Sequence, residues 1–363
     1  MSERALRLGL IGPLPPPNGG MAMQTQQLAQ LLSVENISVQ QLATNSPYRP
    51  SWVGQIKGLR AVFRLIPYLW RVWSLTGRVE VIHMMANSGW SWQLFSAPVI
   101  WIGWLRRTPV IVNYRGGEAP TYFQKSFGWI KPSMDKAFSI IVPSGFLQQV
   151  FSDFGTTTAV IPNIINLDRF KPLIGGERRK GFTLILTRNL EPIYGIDTAI
   201  KAVAELRASI PGLRLLIAGS GPQLRALQSL VQELNLQEQV VFVGRLDPDE
   251  IVVFYQSADA MLNPTTVDNM PNSVLEAMAC GVPVISTDVG GVPYIVKNES
   301  TALLVPVGDE KKMAAAIRRL YGDEALQKKL IQNGISEVKQ YAWPQVKGKW
   351  MALYAAAVRR EAA

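Results

Sequence analysis

The chain has 363 residues, and this length predicts two domains of about 150 to 180 residues each. Hydrophobic residues make up 48% of the chain and charged residues 18%, a balance that excludes a disordered or low-complexity protein, while a formal net charge of +10 favours anionic partners. The single cysteine, Cys280, excludes a disulfide framework and a cysteine-based metal site, and the single histidine, His83, makes a zinc hydrolase or a Ser-His-Asp protease hard to build.

The first half alternates strands with helices, the pattern of a parallel sheet covered on both faces. A strand at 6–11 leads through a turn-rich segment with Gly19 and Gly20 into a helix at 21–32. Further strands are predicted at 79–83, 109–113, 139–142 and 158–161. His83 ends one of these strands, where it is either a structural residue or part of a cleft lining.

A basic, tryptophan-rich segment lies inside this half. Residues 52–107 hold seven of the ten tryptophans and one acid, Glu80. Two interpretations stay open: buried tryptophans beside a solvated basic face, or a surface that meets the headgroups of an anionic bilayer. Nucleic acid is disfavoured because no nucleic-acid motif accompanies the charge. The basic residues are Lys57, Arg60, Arg64, Arg71, Arg78, Arg106 and Arg107.

Neither a secretory signal nor a membrane span is predicted. The first apolar run, 6–11, is too short for a signal peptide. The longest apolar run, 94–105, is interrupted by Pro98. It is shorter than a transmembrane helix, which needs about 20 residues. It predicts a buried or interfacial helix. With one cysteine, the chain is expected to be cytoplasmic, or peripheral on the cytoplasmic face of the inner membrane.

A linker with clustered Gly, Pro and charge at 170–181 separates the halves. The predicted domains are therefore 1–172, 173–342 and a terminal helix over 343–363. Strands in the second half are predicted at 182–186, 214–218, 240–243, 260–263, 283–286 and 302–305, each followed by a helical pattern. Two such parallel sheets facing each other would form a ligand cleft beyond the carboxyl ends of their strands.

Glycine-bearing turns fall at that predicted cleft. Gly19 and Gly20 follow the first strand, and Gly219 follows the second strand of the second half. Each turn is a weak signal, since a structural turn is the commoner explanation. Because neither matches Gly-x-Gly-x-x-Gly, a nicotinamide oxidoreductase is disfavoured.

Residues 263–283 carry the strongest chemical signal: a strand, a polar loop and a short helix. Asn272 or Ser273 is predicted to cap this helix, whose free backbone N–H groups suit a diphosphate. Asp268 lies in the loop and Glu276 lies one turn inside the helix. This spacing can place one carboxylate near a sugar ring and the other near a ribose. The alternative is that Glu276 is a solvent-facing or capping acid and Asp268 an ordinary loop acid.

This segment resembles the retaining GT-B glycosyltransferases called group 1, or family 4. Seven residues separate Asp268 from Glu276, which lies within PNSVLEAMACGVPVIS at 271–286, and GGVP follows at 290–293. Gly19 and Gly20 are similar to that family's first diphosphate loop. The segment IPNIINLDRF at 161–170 is similar to its interdomain segment, and VGRL at 243–246 is similar to its base-binding loop. The resemblance implies an α/β, GT-B fold: two facing Rossmann-like domains with a central cleft and a C-terminal helix crossing back to the first domain.

The same resemblance implies roles for individual residues and makes Asp268, Glu276 and Arg188 the predicted catalytic residues. Glu276 would bind the donor ribose, Asp268 would face the transferred sugar, and Arg188 would stabilise the diphosphate. Backbone groups would complete the donor site without a metal. The implied donor-binding residues are Gly19, Gly20, Arg115, Gly219, Gly244, Arg245, Leu246, Asn269, Met270, Pro271, Asn272, Ser273 and Val274.

The chain departs from the family pattern at four places. Asp268 stands where the family usually has Glu, and Tyr194 stands where it has a phosphate-binding Lys. Arg115 replaces the usual His and is expected to take over part of the donor contact. Tyr294 ends a motif that normally ends in Glu.

The leading hypothesis is a retaining hexosyltransferase that uses a UDP- or GDP-linked sugar, no cofactor and a glycan or lipid-linked acceptor. An anionic membrane surface is its expected partner. The alternative is a non-catalytic nucleotide-sugar-binding or assembly-scaffold protein, motivated by the missing Lys and His.

Overall fold

The computed structural model describes residues 5–16, 19–47, 56, 59–173, 175 and 181–360. It divides into two compact units, one of residues 1–164 with 346–363 and the other of residues 165–345. The predicted domains are 1–172, 173–342 and 343–363. Residues 165–172, predicted to end the first domain, belong to the second unit, and so do residues 343–345, predicted to begin the terminal helix. Lys57 lies outside the described residues, as does the side chain of Arg60.

The first unit contains a parallel six-stranded sheet in the order β2-β1-β3-β4-β5-β6. All six residues of β3 are buried, as expected for a central strand covered on both faces. Its strands are β1 (Leu6–Gly12), β2 (Ile37–Ala43), β3 (Val81–Ala86), β4 (Val110–Tyr114), β5 (Ser139–Val142) and β6 (Ala159–Val160). Its helices are α1 (Gly20–Ser33), α2 (Leu59–Thr76), α3 (Ala97–Leu105), α4 (Ala119–Met134) and α5 (Gly145–Asp153).

The second unit contains another parallel six-stranded sheet, in the order β12-β11-β10-β7-β8-β9. Counted within the unit this is 6-5-4-1-2-3, the Rossmann order, whose direction reverses between β10 and β7. Its strands are β7 (Phe182–Thr187), β8 (Leu213–Ala218), β9 (Val240–Gly244), β10 (Ala260–Asn263), β11 (Val284–Thr287) and β12 (Leu303–Val305). Its helices are α6 (Ile196–Leu206), α7 (Leu224–Glu233), α8 (Pro248–Gln256), α9 (Asn272–Ala279), α10 (Glu310–Gly322) and α11 (Glu324–Val338). The last helix, α12 (Trp343–Arg359), belongs to the first unit from Val346 onwards.

Several helices of the second unit begin at acidic caps. Asp309 and Asp323 each accept a hydrogen bond from a backbone N–H in the first turn of α10 and α11. Asp247 and Glu250 form a reciprocal capping box at α8. These side chains accept hydrogen bonds from backbone N–H groups of the first helical turn that would otherwise lack partners. The sequence itself therefore fixes where these helices start.

Most of α12 packs with the first unit around His83. The His83 ring lies 4.8 Å from the Trp350 ring, and its Nδ1 lies 2.8 Å from the Tyr354 hydroxyl. On the other side, His83 Nε2 lies 3.1 Å from Asn113 Nδ2. Burial, with a smaller effect from the charge of Arg115, lowers the pKa of His83 to about 3. His83 is therefore a neutral structural residue, which decides between the two interpretations that the sequence left open.

The Trp350→Ala substitution is expected to lower the free energy of unfolding by about 3–5 kcal/mol, because it removes an indole that is only 1% exposed and leaves a cavity against His83. Urea titration followed by far-ultraviolet circular dichroism measures the change. Lys349→Ala, at the exposed preceding position of the same helix, is the control and should change stability little. Equal stability of the two variants would contradict the packing of α12 described here.

Candidate donor site in the second unit

The site forms where the sheet of the second unit reverses direction. β7 ends at Thr187 and β10 ends at Asn263, and these strands are hydrogen-bonded neighbours. Ligands of open parallel sheets bind beyond the carboxyl ends of strands at such a reversal. Arg188 and Asp268, two of the three predicted catalytic residues, lie in the loops that follow these strands.

Arg188 is held on three sides. Its Nε and Nη2 donate hydrogen bonds to Asn263 Oδ1 at 3.1 and 2.7 Å. Its Nη2 also lies 2.5 Å from Asp268 Oδ2, forming an ion pair whose side chains are only 12% and 14% exposed. The Tyr194 ring centroid lies 5.0 Å from the guanidinium carbon. A cation is thus fixed at the strand ends by a carboxylate, an amide and an aromatic face.

Both carboxylate oxygens of Asp268 accept hydrogen bonds. Oδ2 accepts from Arg188, and Oδ1 accepts from the backbone N–H of Asn269 at 2.9 Å. The Asp268 carbonyl accepts a third, from the N–H of Gly291 at 2.9 Å. The Asp side chain, although shorter than the Glu expected at this position, is therefore rigidly placed.

Glu276 belongs to a second hydrogen-bonded group. The Tyr255 hydroxyl donates to Glu276 Oε2 at 2.8 Å and lies 2.8 Å from Thr187 Oγ1. Burial raises the pKa of Glu276, while the Tyr255 hydrogen bond and the charges of Arg188 and Arg169 act to lower it. Since Thr187 precedes Arg188 in the chain, the two groups adjoin and all three predicted catalytic residues belong to one region.

The helix α9 begins beside Asp268, but the predicted side-chain cap is wrong. Pro271 occupies the cap position and no side-chain cap hydrogen bond forms, so neither Asn272 nor Ser273 caps the helix. Among the described residues, the buried Ser273 hydroxyl has no hydrogen-bond partner. Asn269, Met270, Pro271 and Val274 lie with it in the loop and first turn. A helix start with an unused buried hydroxyl can accept an anion.

The Gly219 turn lies against the Arg188 loop. A Cβ at Gly219, whose φ is +147°, would stand 1.9 Å from the Arg188 carbonyl oxygen, so only glycine permits this approach. The Gly219 N–H donates to the Gly244 carbonyl at 2.7 Å, and Arg245 Nε donates to Ser220 Oγ at 2.5 Å. Of the predicted base-binding residues, Gly244 thus ends β9 next to the Gly219 turn, and Arg245 and Leu246 follow it.

The predicted donor contacts of the first unit form a separate group. Gly19 and Gly20 stand at the start of α1. Arg115 follows β4, its Nε donates to Asn113 Oδ1 at 3.2 Å, and its Nη1 donates to Asn163 Oδ1. Burial lowers the pKa of Arg115 to about 10, so the group stays charged at neutral pH.

Sequence reasoning missed several residues that build these groups. Asn263 ended a predicted strand but had no assigned role, although a polar residue at the end of an apolar strand is a usable signal. Tyr255, Asn113 and Asn163 carried no signal, because each meets its partner only through the fold.

Gly291 supports the loop that carries Asp268. A Cβ there would lie 1.6 Å from the Asn269 carbonyl oxygen. The Gly291→Ala substitution is therefore expected to displace the loop and lower the free energy of unfolding by about 1–3 kcal/mol. Gly322→Ala is the control, since its Cβ would meet nothing within 4 Å and alanine favours a helix by about 0.5 kcal/mol. Thermal unfolding compares the two, and a stable Gly291→Ala protein would contradict this packing.

Comparison with known proteins places the site in a family. Residues 170–337 match the family model described as "Glycosyl transferases group 1". A phosphatidyl-myo-inositol mannosyltransferase of Mycobacterium leprae is 26% identical, with 96% of each chain covered. A D-inositol 3-phosphate glycosyltransferase of Acidothermus cellulolyticus is 29% identical over 56% of this chain, and the match spans only 49% of that relative's length.

Solved structures agree on the fold. Sucrose-phosphate synthase from Thermosynechococcus elongatus superposes with a TM-score of 0.79 at 22% identity, covering 98% of this chain and 100% of that one. HepE of Anabaena in complex with UDP gives a TM-score of 0.75 at 18% identity, covering 97% and 100%. The sheet orders and these superpositions confirm the predicted α/β, GT-B fold. Residues 170–337, which lie within the second unit, match the group 1 glycosyltransferases.

Proposed function

We propose that this protein is a retaining hexosyltransferase that takes its sugar from a nucleotide diphosphate and transfers it to a glycan or lipid-linked acceptor. The observation that carries the proposal is the convergence of Arg188, Asp268 and the start of α9 at the reversal of the second sheet. A fixed guanidinium beside an open helix start is suited to a diphosphate, whose negative charge grows when the sugar leaves.

The proposed donor contacts are those that the resemblance to group 1 implies. Arg188, Ser273 and the backbone of 269–274 bind the diphosphate. Asp268 faces the transferred sugar, and Glu276 accepts hydrogen bonds from the ribose hydroxyls. Gly219, Gly244, Arg245 and Leu246 line the base pocket, and Gly19, Gly20 and Arg115 are the donor contacts from the first unit. The Tyr255 hydrogen bond orients the Glu276 carboxylate for its role.

The proposed reaction keeps the anomeric configuration. The bond from the anomeric carbon to the diphosphate oxygen breaks, and the acceptor oxygen bonds to that carbon on the same face. The acceptor's proton passes to the departing diphosphate oxygen, so no protein base is required. A covalent intermediate on Asp268 is disfavoured because both of its carboxylate oxygens are already engaged.

We propose that the reaction is metal-independent and uses UDP- or GDP-sugar. Arg188 and the helix start provide the positive electrostatic potential that a metal would otherwise supply. The UDP in the HepE complex supports a uridine donor. A GDP-mannose-dependent mannosyltransferase of Mycobacterium tuberculosis, 30% identical over 47% of this chain, supports a guanosine donor.

A cytoplasmic location at the inner face of the membrane completes the proposal. The Mycobacterium leprae relative is named for phosphatidyl-myo-inositol, which supports a lipid-linked acceptor here. No helix among the described residues is long and apolar enough to cross a bilayer. An anionic membrane surface is therefore the proposed partner, reached by peripheral contact.

Thermal-shift screening against UDP, GDP, ADP and their sugar conjugates should give a clear rise in melting temperature with one nucleotide, since saturation at 100 times the dissociation constant adds about 2.7 kcal/mol of stability. With that donor, Arg188→Ala is expected to reduce transfer by about 10² to 10³. Glu276→Gln should weaken donor binding. Product anomers read by NMR, with and without EDTA, test retention and metal independence.

Arg225→Ala, an exposed cation of α7 in the same unit, is the matched control and should keep full activity. Unchanged turnover in both Arg188→Ala and Glu276→Gln would overturn the site assignment. Tight donor binding without transfer or hydrolysis would instead favour the non-catalytic scaffold.

Tyr194 is expected to position Arg188 through its ring, because its centroid lies 5.0 Å from the guanidinium carbon. Tyr194→Phe retains the ring and should leave the donor KM nearly unchanged. Tyr194→Ala should raise the donor KM about two- to fivefold, the effect of losing a cation–π contact worth about 0.5–1 kcal/mol. An equal rise of the donor KM in both variants would assign the effect to the hydroxyl. An unchanged donor KM in both would show that neither the ring nor the hydroxyl positions Arg188.

A further inference from the structure

Helix α2 of the first unit presents a large apolar stripe to solvent. Phe63, Ile66, Trp70 and Trp73 recur at intervals of three and four residues, which places them on one side of the helix. Ile66 is 62% exposed and Trp70 is 70% exposed. The opposite side of α2 is buried through Tyr68, Val72 and Leu75, so the helix has two apolar faces and the fold covers only one.

Helix α3 extends this exposed surface. Trp104 and Leu105 are 50% and 63% exposed, and the Trp101 ring packs edge-on against the Trp104 ring at 5.8 Å. Arg106, which ends α3, lies with its guanidinium carbon 4.6 Å from the Trp73 ring centroid of α2 and so joins the two helices. We define the tryptophan surface as Ile66, Trp70, Trp73, Trp101, Trp104 and Leu105.

Positive charge lies against the tryptophan surface at Arg106 and Lys136. Residues 63–107 include five arginines and a single acid, Glu80. Glu80 accepts a hydrogen bond from the Arg7 backbone and lies beside its side chain, so it is engaged away from the arginines of this segment. Arg71 is exposed on α2, and Lys136 Nζ lies 4.7 Å from the Trp104 ring centroid.

We infer that the tryptophan surface docks on an anionic lipid bilayer, with its indoles in the headgroup layer. Indole rings favour that layer because one edge is polar and the rest apolar, while arginines attract anionic headgroups. The intervening aliphatic residues, Ile66 and Leu105, suit acyl chains and offer no flat face on which a nucleic-acid base could stack. A symmetric contact through this surface would bring the positive charges of one copy, among them Arg106 and Lys136, close to those of the other, which is unfavourable.

This inference rests on the membrane association proposed above and names the surface responsible for it. None of the proposed donor-binding residues belongs to the tryptophan surface. Vesicle binding and sugar transfer can therefore fail independently, and each failure identifies which proposal is wrong.

Flotation of the full chain with vesicles tests the surface. Wild type should bind phosphatidylcholine vesicles containing phosphatidylglycerol, and weakly or not at all without it. Arg71→Glu with Arg106→Glu should lower the partition coefficient by about 30-fold, since each basic side chain contributes about fivefold. Arg214→Glu with Arg225→Glu, exposed on the second unit, lowers the net charge of +10 equally and should retain binding.

A second pair of variants tests the aromatic contribution. Trp70→Ala with Trp104→Ala should lower the partition coefficient at least about tenfold, because two exposed indoles leave the interface. Brominated lipids should quench tryptophan fluorescence in the wild type and less in this variant. Val253→Ala with Tyr321→Ala, exposed apolar residues of the second unit, is the control and should bind as wild type does.

Four outcomes would overturn the inference. If the wild type did not bind the anionic vesicles, the proposed membrane association would be wrong. Equal losses of vesicle binding in the two charge-reversed variants would show that net charge alone determines binding. Unchanged binding in the tryptophan variant, with its fold confirmed by circular dichroism, would remove the docking surface. A concentration-dependent dimer that the same tryptophan variant abolishes would assign the surface to a second copy.

Discussion

The ion pair between Arg188 and Asp268 is the interaction on which the second unit's site depends. The two residues are 80 positions apart, and they meet because the Rossmann order makes β7 and β10 neighbours. Asn263 holds the guanidinium, and Asn269 and Gly291 hold the Asp268 loop. A nearly buried ion pair of this kind costs desolvation energy, so its use at a strand-end site is better explained by chemistry than by stability.

The same site departs from the pattern of the group 1 family that it resembles and still holds a cation. The family's phosphate-binding lysine is absent, and Tyr194 stands there over Arg188. One cation placed by an amide, a carboxylate and a ring is more rigid than two flexible ones, because a planar guanidinium loses less freedom for each contact that it makes. The Tyr194 ring adds no charge of its own, so in the proposed donor site the start of α9 and the buried Ser273 hydroxyl take over part of the role of the missing lysine.

The two units use their aromatic and basic residues differently. In the first unit, Trp350 and Tyr354 enclose a neutral His83, and desolvation suppresses its titration. On the outside of that unit, indoles lie beside arginines, with Arg106 over Trp73. The same residue types thus build an interior on α12 and an exposed surface on α2 and α3. What separates the two cases is whether another helix of the chain covers the ring.

The sequence by itself determined the alternation of strands and helices, the two-sheet organisation and the segment from Asn263 to Glu276, because each depends on local periodicity or on a contiguous motif. It did not reveal β2, whose Gln-Gln pair and exposed positions break the apolar run of an ordinary buried strand. Only the tertiary structure decided the partners of Arg188, the neutrality of His83 and which tryptophans face solvent. These depend on contacts between residues far apart in the chain, and no local pattern encodes them.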